Sequence, residues 1–175
     1  MNNSNNNFIK KCITDALLQL MNEKDFKDIS ITEISVKAGV SRMAYYRNYN
    51  YKEDILNDHM TELIEEYKIM REEHADSIYN RFLFAYKFFK DNNDFITSME
   101  KSNLSVIIQN KINDYMKIFY KNSDEDINEK YKLYILSGAL YNSSKMWILN
   151  GMKETPEELA KIFVDRMFNH KPGTN

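Results

Sequence analysis

A chain of 175 residues with 43% hydrophobic and 29% charged side chains has the composition of a folded protein rather than a disordered one. A formal net charge of −2 excludes a uniformly basic nucleic-acid binder, and 4 Gly with 2 Pro speak for long helices over strands and turns. The lone Cys12 excludes an internal disulfide and reads as a half-buried apolar residue in a reducing compartment.

Residues 1–7 are polar, mostly Asn, and are expected to be disordered. They lack the basic and apolar regions of a signal peptide, and no apolar run reaches bilayer length, so a cytoplasmic protein is expected. Over residues 8–23, Phe8, Ile9, Cys12, Ile13, Ala16, Leu17, Leu20 and Met21 recur at spacings of three and four, the stripe of an amphipathic helix. Residues 25–28 form a connector. Ser30-Ile31-Thr32-Glu33 then has the form of a capping box and opens a second helix, which Gly39 ends. Ser41 is an N-cap for a third helix through about Tyr49, and a long fourth helix runs from about Lys52 to residues 72–74. Further helices are predicted over 77–91, 94–101, 104–121 and 127–150, with joints at residues 92–93 and 122–124. After Gly151, Thr155-Pro156-Glu157-Glu158 opens a last helix with an N-cap, Pro in the first turn and acids at the positive dipole end. A frayed tail is expected after His170. The chain reads as all-α, with about nine helices.

Residues 30–52 carry the chemistry. Two short capped helices joined at Gly39 have the plan of a helix-turn-helix, with Ile34, Ala38 and Val40 packing the pair. The second helix is expected to project Arg42, Met43, Ala44, Tyr46 and Arg47 away from that core, while Tyr45 and Tyr49 pack inward. Its first turn directs backbone N–H groups outward. Charge agrees locally: between Glu33 and Glu53 there is no acid, whereas Lys37, Arg42, Arg47 and Lys52 all fall there.

The stretch from Ile34 to Leu56 resembles the signature of TetR-family regulators. It has Ala38-Gly39-Val40-Ser41, a helix ending in Tyr46, an aromatic at Tyr49, then Lys52-Glu53 and the apolar pair Ile55-Leu56. Met43 stands where a small or polar residue is usual, and Tyr49 replaces the usual Phe. The resemblance implies DNA binding, with Arg42, Met43 and Ala44 at base-reading positions and Tyr46 on phosphate or base. Ser30, Asn48 and Lys52 match phosphate-contacting positions, and Thr32 lies near one that sometimes reads a base; Arg47 belongs to the same surface or forms a solvated ion pair. It further implies two domains: a DNA-binding domain at residues 1–51 and a helical ligand-binding and dimerisation domain at 52–175. The last two helices would build a homodimer, with Gly138, Ala139, Asn142, Leu159, Ile162 and Phe163 as interface candidates. The expected partner is double-stranded DNA with a roughly palindromic site, and no membrane is implied.

A small-molecule effector rests on the resemblance alone. The aromatics of residues 82–147 suit a packed core or an apolar pocket, so no ligand-binding residue is assigned. His59, His74 and His170 lack metal-ligand spacing, and no phosphate loop, nucleophile elbow or paired acid and base is present; neither metal nor cofactor nor enzymatic activity is expected. The first expectation is a repressor released by an effector. The alternatives are an activator working with a protein co-regulator, a helical interaction module that does not bind DNA, and a carrier of an apolar ligand.

Overall fold

Local sequence signals place most of the helix ends. In the computed structural model, which describes residues 2–74, 76–119 and 126–169, nine α-helices and one 3-10 turn are present and no strand is seen among the described residues. They are α1 (Asn2–Glu23), the turn Phe26–Asp28, α2 (Ile31–Lys37), α3 (Arg42–Tyr46), α4 (Lys52–His74), α5 (Ile78–Asp91), α6 (Asn93–Lys101), α7 (Ser105–Phe119), α8 (Ile127–Leu149) and α9 (Pro156–Met167). The joint expected at 122–124 and the frayed end expected after His170 lie outside the described residues.

Both capping boxes form. The Ser30 hydroxyl accepts from the Glu33 amide at 3.2 Å while the Glu33 carboxylate accepts from the Ser30 amide at 2.9 Å. Thr155 and Glu158 repeat the arrangement at 3.2 and 2.8 Å, with Pro156 in the first turn. Each such cap is worth about 1 kcal/mol. Helices α2, α6 and α8 stop in the same way: residues Gly39, Asn103 and Gly151 take positive φ of 67°, 57° and 84°. The amide that follows each of them bonds five residues back, to Ser35, Met99 and Trp147.

Two expectations need correction. Helix α1 begins at Asn2, so residues 2–7, expected to be disordered, continue the helix. They carry no apolar residue, and a periodicity argument is blind there. Helix α3 ends at Tyr46 rather than near Tyr49. The cause is Asn48, whose side-chain Nδ2 donates to the Ala44 carbonyl at 2.8 Å and displaces its own amide, which turns to Tyr45 instead.

The chain divides into two compact units, one of Met1–Glu62 with Ser98–Ile107 and one of Leu63–Thr97 with Ile108–Asn175. The first buries Ile13, Leu17, Ile34, Tyr45, Ile55 and Leu56. The second has an aromatic core: Phe82 of α5 lies 4.3 Å from Phe163 of α9, and Tyr86 stands edge-on to Trp147 at 6.1 Å. Trp147 donates its Nε1–H to the Glu154 carbonyl at 3.0 Å, which fixes the turn into α9.

Candidate nucleic-acid interface

Helix α3 has only five residues, too few to hold a helix by its own hydrogen bonds, so it depends on its ends and its buried face. Ser41 caps it by accepting from the Ala44 amide at 3.1 Å. Tyr45 is its anchor and is wholly buried. Burial pushes the Tyr45 phenol up to about 12, and its Oη has no hydrogen-bond partner among the described residues. Tyr49, also buried as expected, donates to Asp58 at 2.9 Å, and the same carboxylate oxygen meets Lys10 at 2.7 Å. Thus α1, the segment after α3 and α4 are tied at one point.

The outward face of α3 differs from expectation at one residue. Arg42, Met43, Tyr46 and Arg47 are exposed, Met43 by 70% and Tyr46 by 45%. Ala44, expected beside them, is buried at 8% exposure, because it shares the inner face with Tyr45. Asn48 is half-buried and used on the Ala44 carbonyl. Ser30 and Thr32 are exposed, Ser30 with its hydroxyl engaged in the cap. Val36, four residues after Thr32 and so on the same side of α2, is an exposed apolar side chain that the sequence reading passed over. A helical projection from the buried Ile34 would have found it.

The basic stretch is also reorganised. Of its four cations, Lys37 is paired with Glu23 of α1 at 2.6 Å. Lys52 turns inward: its Nζ donates to the Phe26 carbonyl at 2.7 Å and the Ile29 carbonyl at 2.6 Å, and lies 4.5 Å from the Phe26 ring centroid. Desolvation holds the Lys52 ammonium below its usual range. It therefore clasps the first turn of α4 to the turn that leads into α2. Beside it, Lys24, the residue after α1, pairs with Glu33, and that hydrogen bond, with those from Ser30, lowers the Glu33 carboxyl from 4.5 to about 2. Arg42 and Arg47 remain on the surface: the first lies over the Tyr46 ring at 6.0 Å, and the second donates from Nε to the Met43 carbonyl at 3.3 Å.

A TetR model described as the transcriptional regulator C-terminal region matches residues 76–169, more than half of the chain. The chain belongs to the TetR family of transcriptional regulators. No curated protein matches its sequence. Among solved structures, a TetR transcriptional regulator from Streptococcus agalactiae 2603V is similar over 94% of this chain and 96% of that one, at 20% identity and a TM-score of 0.69. The fatty acid degradation regulator FadR from Bacillus halodurans matches over 93% and 97%, at 17% identity and a TM-score of 0.64. The dihydroxyacetone kinase operon activator DhaS matches over 92% and 94%, at 17% identity and a TM-score of 0.59. At these identities the likeness establishes the TetR fold.

The family's other working surface would lie in the second unit. Of the interface candidates there, Asn142 and Ile162 are exposed, and Gly138, Ala139 and Leu159 are half-buried, with open space where a Gly138 side chain would stand. Phe163 is buried at 5% exposure and belongs to the core of the second unit against Phe82. Tyr131, Ile135, Met146 and Leu149, unassigned from sequence, are exposed at the helical spacing that puts them on one side of α8 with Gly138 and Asn142. No helix among the described residues is long and apolar enough to cross a membrane.

Proposed function

We propose that the chain is a homodimeric, sequence-specific DNA-binding regulator that reads a roughly palindromic duplex with α3. The observation that carries this reading is the α3 surface. It holds two arginines, a methionine and a tyrosine outward on a helix capped by Ser41 and anchored by Tyr45. Arginine forks suit guanine edges and phosphates, and Met43 suits a thymine methyl. The stripe of Tyr131, Ile135, Gly138, Asn142, Met146 and Leu149 on α8, with Ile162 of α9, is the face for the second copy. Two α3 helices related by a two-fold axis would meet half-sites about 34–36 Å apart. A small molecule that binds one conformation better changes the DNA affinity, and release of repression is the outcome expected first. Activation is the second reading, favoured by the similarity to the dihydroxyacetone kinase operon activator DhaS. A regulator of this kind works in the cytoplasm, where its DNA is.

The test is an anisotropy titration of mixed-sequence duplex at two salt concentrations, with Arg47→Ala alongside. Affinity should fall with salt by about 0.9 log unit per log unit for each phosphate neutralised, and the loss of Arg47 should flatten that slope. Absence of duplex binding at low salt would leave the interaction-module alternative standing.

A further inference from the structure

Arg42 and Tyr46 lie one helical turn apart, with the guanidinium carbon 6.0 Å from the Tyr46 ring centroid, within the reach of a cation–π contact. The ring is itself held. Tyr45, wholly buried, stands against Tyr46 at 5.4 Å and 85°, and Tyr45 in turn lies 6.2 Å from buried Tyr49. A line of contact therefore runs from the core of the first unit through two rings to an exposed guanidinium. Arg42 makes no ion pair among the described residues, so its planar fork is not consumed by a carboxylate. A guanidinium stacked by its face keeps all five N–H donors, which point outward in its plane. Arg47 differs, since its Nε already donates to the Met43 carbonyl at 3.3 Å.

We propose that Tyr46 is a positioning residue whose ring holds the Arg42 fork for a guanine edge, so that base preference at that position belongs to the pair. The inference rests on the DNA reading above and adds a residue that sets specificity. An unsupported arginine must give up all its rotamer freedom on binding, whereas one drawn toward a ring has less to give up, and the difference appears as selectivity at one base. The competing role for Tyr46 is a hydroxyl donated to phosphate, which fixes register and carries no sequence information. The two roles separate cleanly: the first needs the ring, the second the hydroxyl.

The experiment is enrichment from a random duplex pool with wild type, Tyr46→Phe, Tyr46→Leu, Arg42→Ala, Arg42→Lys and the double variant Arg42→Ala/Tyr46→Leu. Thermal melts confirm that each is folded. Wild type should enrich a palindrome with a fixed guanine in each half. Tyr46→Phe should keep that preference. Tyr46→Leu and Arg42→Lys should lose roughly tenfold of it at the position that Arg42→Ala relaxes, and the double variant should lose no more than Arg42→Ala alone. The pairing is overturned if Tyr46→Leu keeps the guanine preference, or if Tyr46→Phe weakens all sequences as much as Tyr46→Leu does. A wild type that enriches nothing overturns it together with the DNA reading, which distinguishes the two failures.

Discussion

Helices α3 and α8 both leave side chains uncovered, and what they leave uncovered differs in kind. On α3 and its C-cap residue Arg47 the exposed groups are few and directional: two guanidiniums, a phenol and a thioether around a five-residue helix that stands on Tyr45. On α8, 23 residues long, the uncovered stripe is mainly apolar and runs past Gly138, where open space remains. The first surface suits a partner recognised by a handful of hydrogen bonds, the second a partner recognised by area. Under the proposed function, reading and assembly would each have their own helix and their own physics.

The sharpest break is at the base of α3. Tyr45→Ala should cost about 3–5 kcal/mol of stability, as large core truncations do, and abolish duplex binding by unseating the helix; a urea melt monitored by circular dichroism measures it. Tyr45→Phe should cost nothing and even gain about 1 kcal/mol, since it removes a buried hydroxyl that has no partner among the described residues. On α8, Ile135→Glu puts a charge into the proposed face and should weaken self-association at least a hundredfold, on the order of 3 kcal/mol, without changing the helix content of the separated chains. Analytical ultracentrifugation reads that directly.

A smaller change distinguishes a clasp from a contact. Lys52→Met removes two charge-assisted hydrogen bonds and should lower stability by about 2 kcal/mol while leaving the salt slope of DNA binding unchanged. A phosphate-binding lysine would instead flatten that slope by about one unit.

The smallest effect is a pH dependence at the start of α2. Glu33 is lowered from 4.5 to about 2, chiefly by the Lys24 hydrogen bond and then by Ser30. A carboxyl depressed in the folded state stabilises fully above 4.5, and that contribution is lost as pH falls from 4.5 through 2. Melting temperatures at pH 6 and pH 3 should therefore differ less in Glu33→Gln than in wild type.

What was legible in the sequence was local. Ser30 with Glu33, Ser41 with Ala44, and Thr155 with Glu158 each close a contact within three residues, and all three caps were readable. Gly39 and Gly151 announced their turns for the same reason. The errors at the site came from distance along the chain. Lys37 meets a partner 14 residues away and Lys52 meets carbonyls 23 and 26 residues away, so of the four cations in the stretch one is paired on the surface and one is turned inward. Ala44 was misplaced because a five-residue helix has too short a pattern to fix its inner face. On α8, apolar residues on every side gave the sequence no preferred face, and only the burial of Leu133, Leu136, Leu140 and Trp147 marks Tyr131, Ile135 and Met146 as the outer one.

The measurement that tests the central assignment most directly is the stoichiometry and symmetry of the duplex the protein selects. Wild-type chain is mixed with a random pool, the bound fraction sequenced, and the complex on the winning duplex sedimented. Reading by paired α3 helices requires an enriched palindrome with half-sites one helical turn apart, or a multiple of it, and an even number of chains per duplex. An asymmetric winner bound by one chain, or no enrichment at any salt concentration, would contradict it.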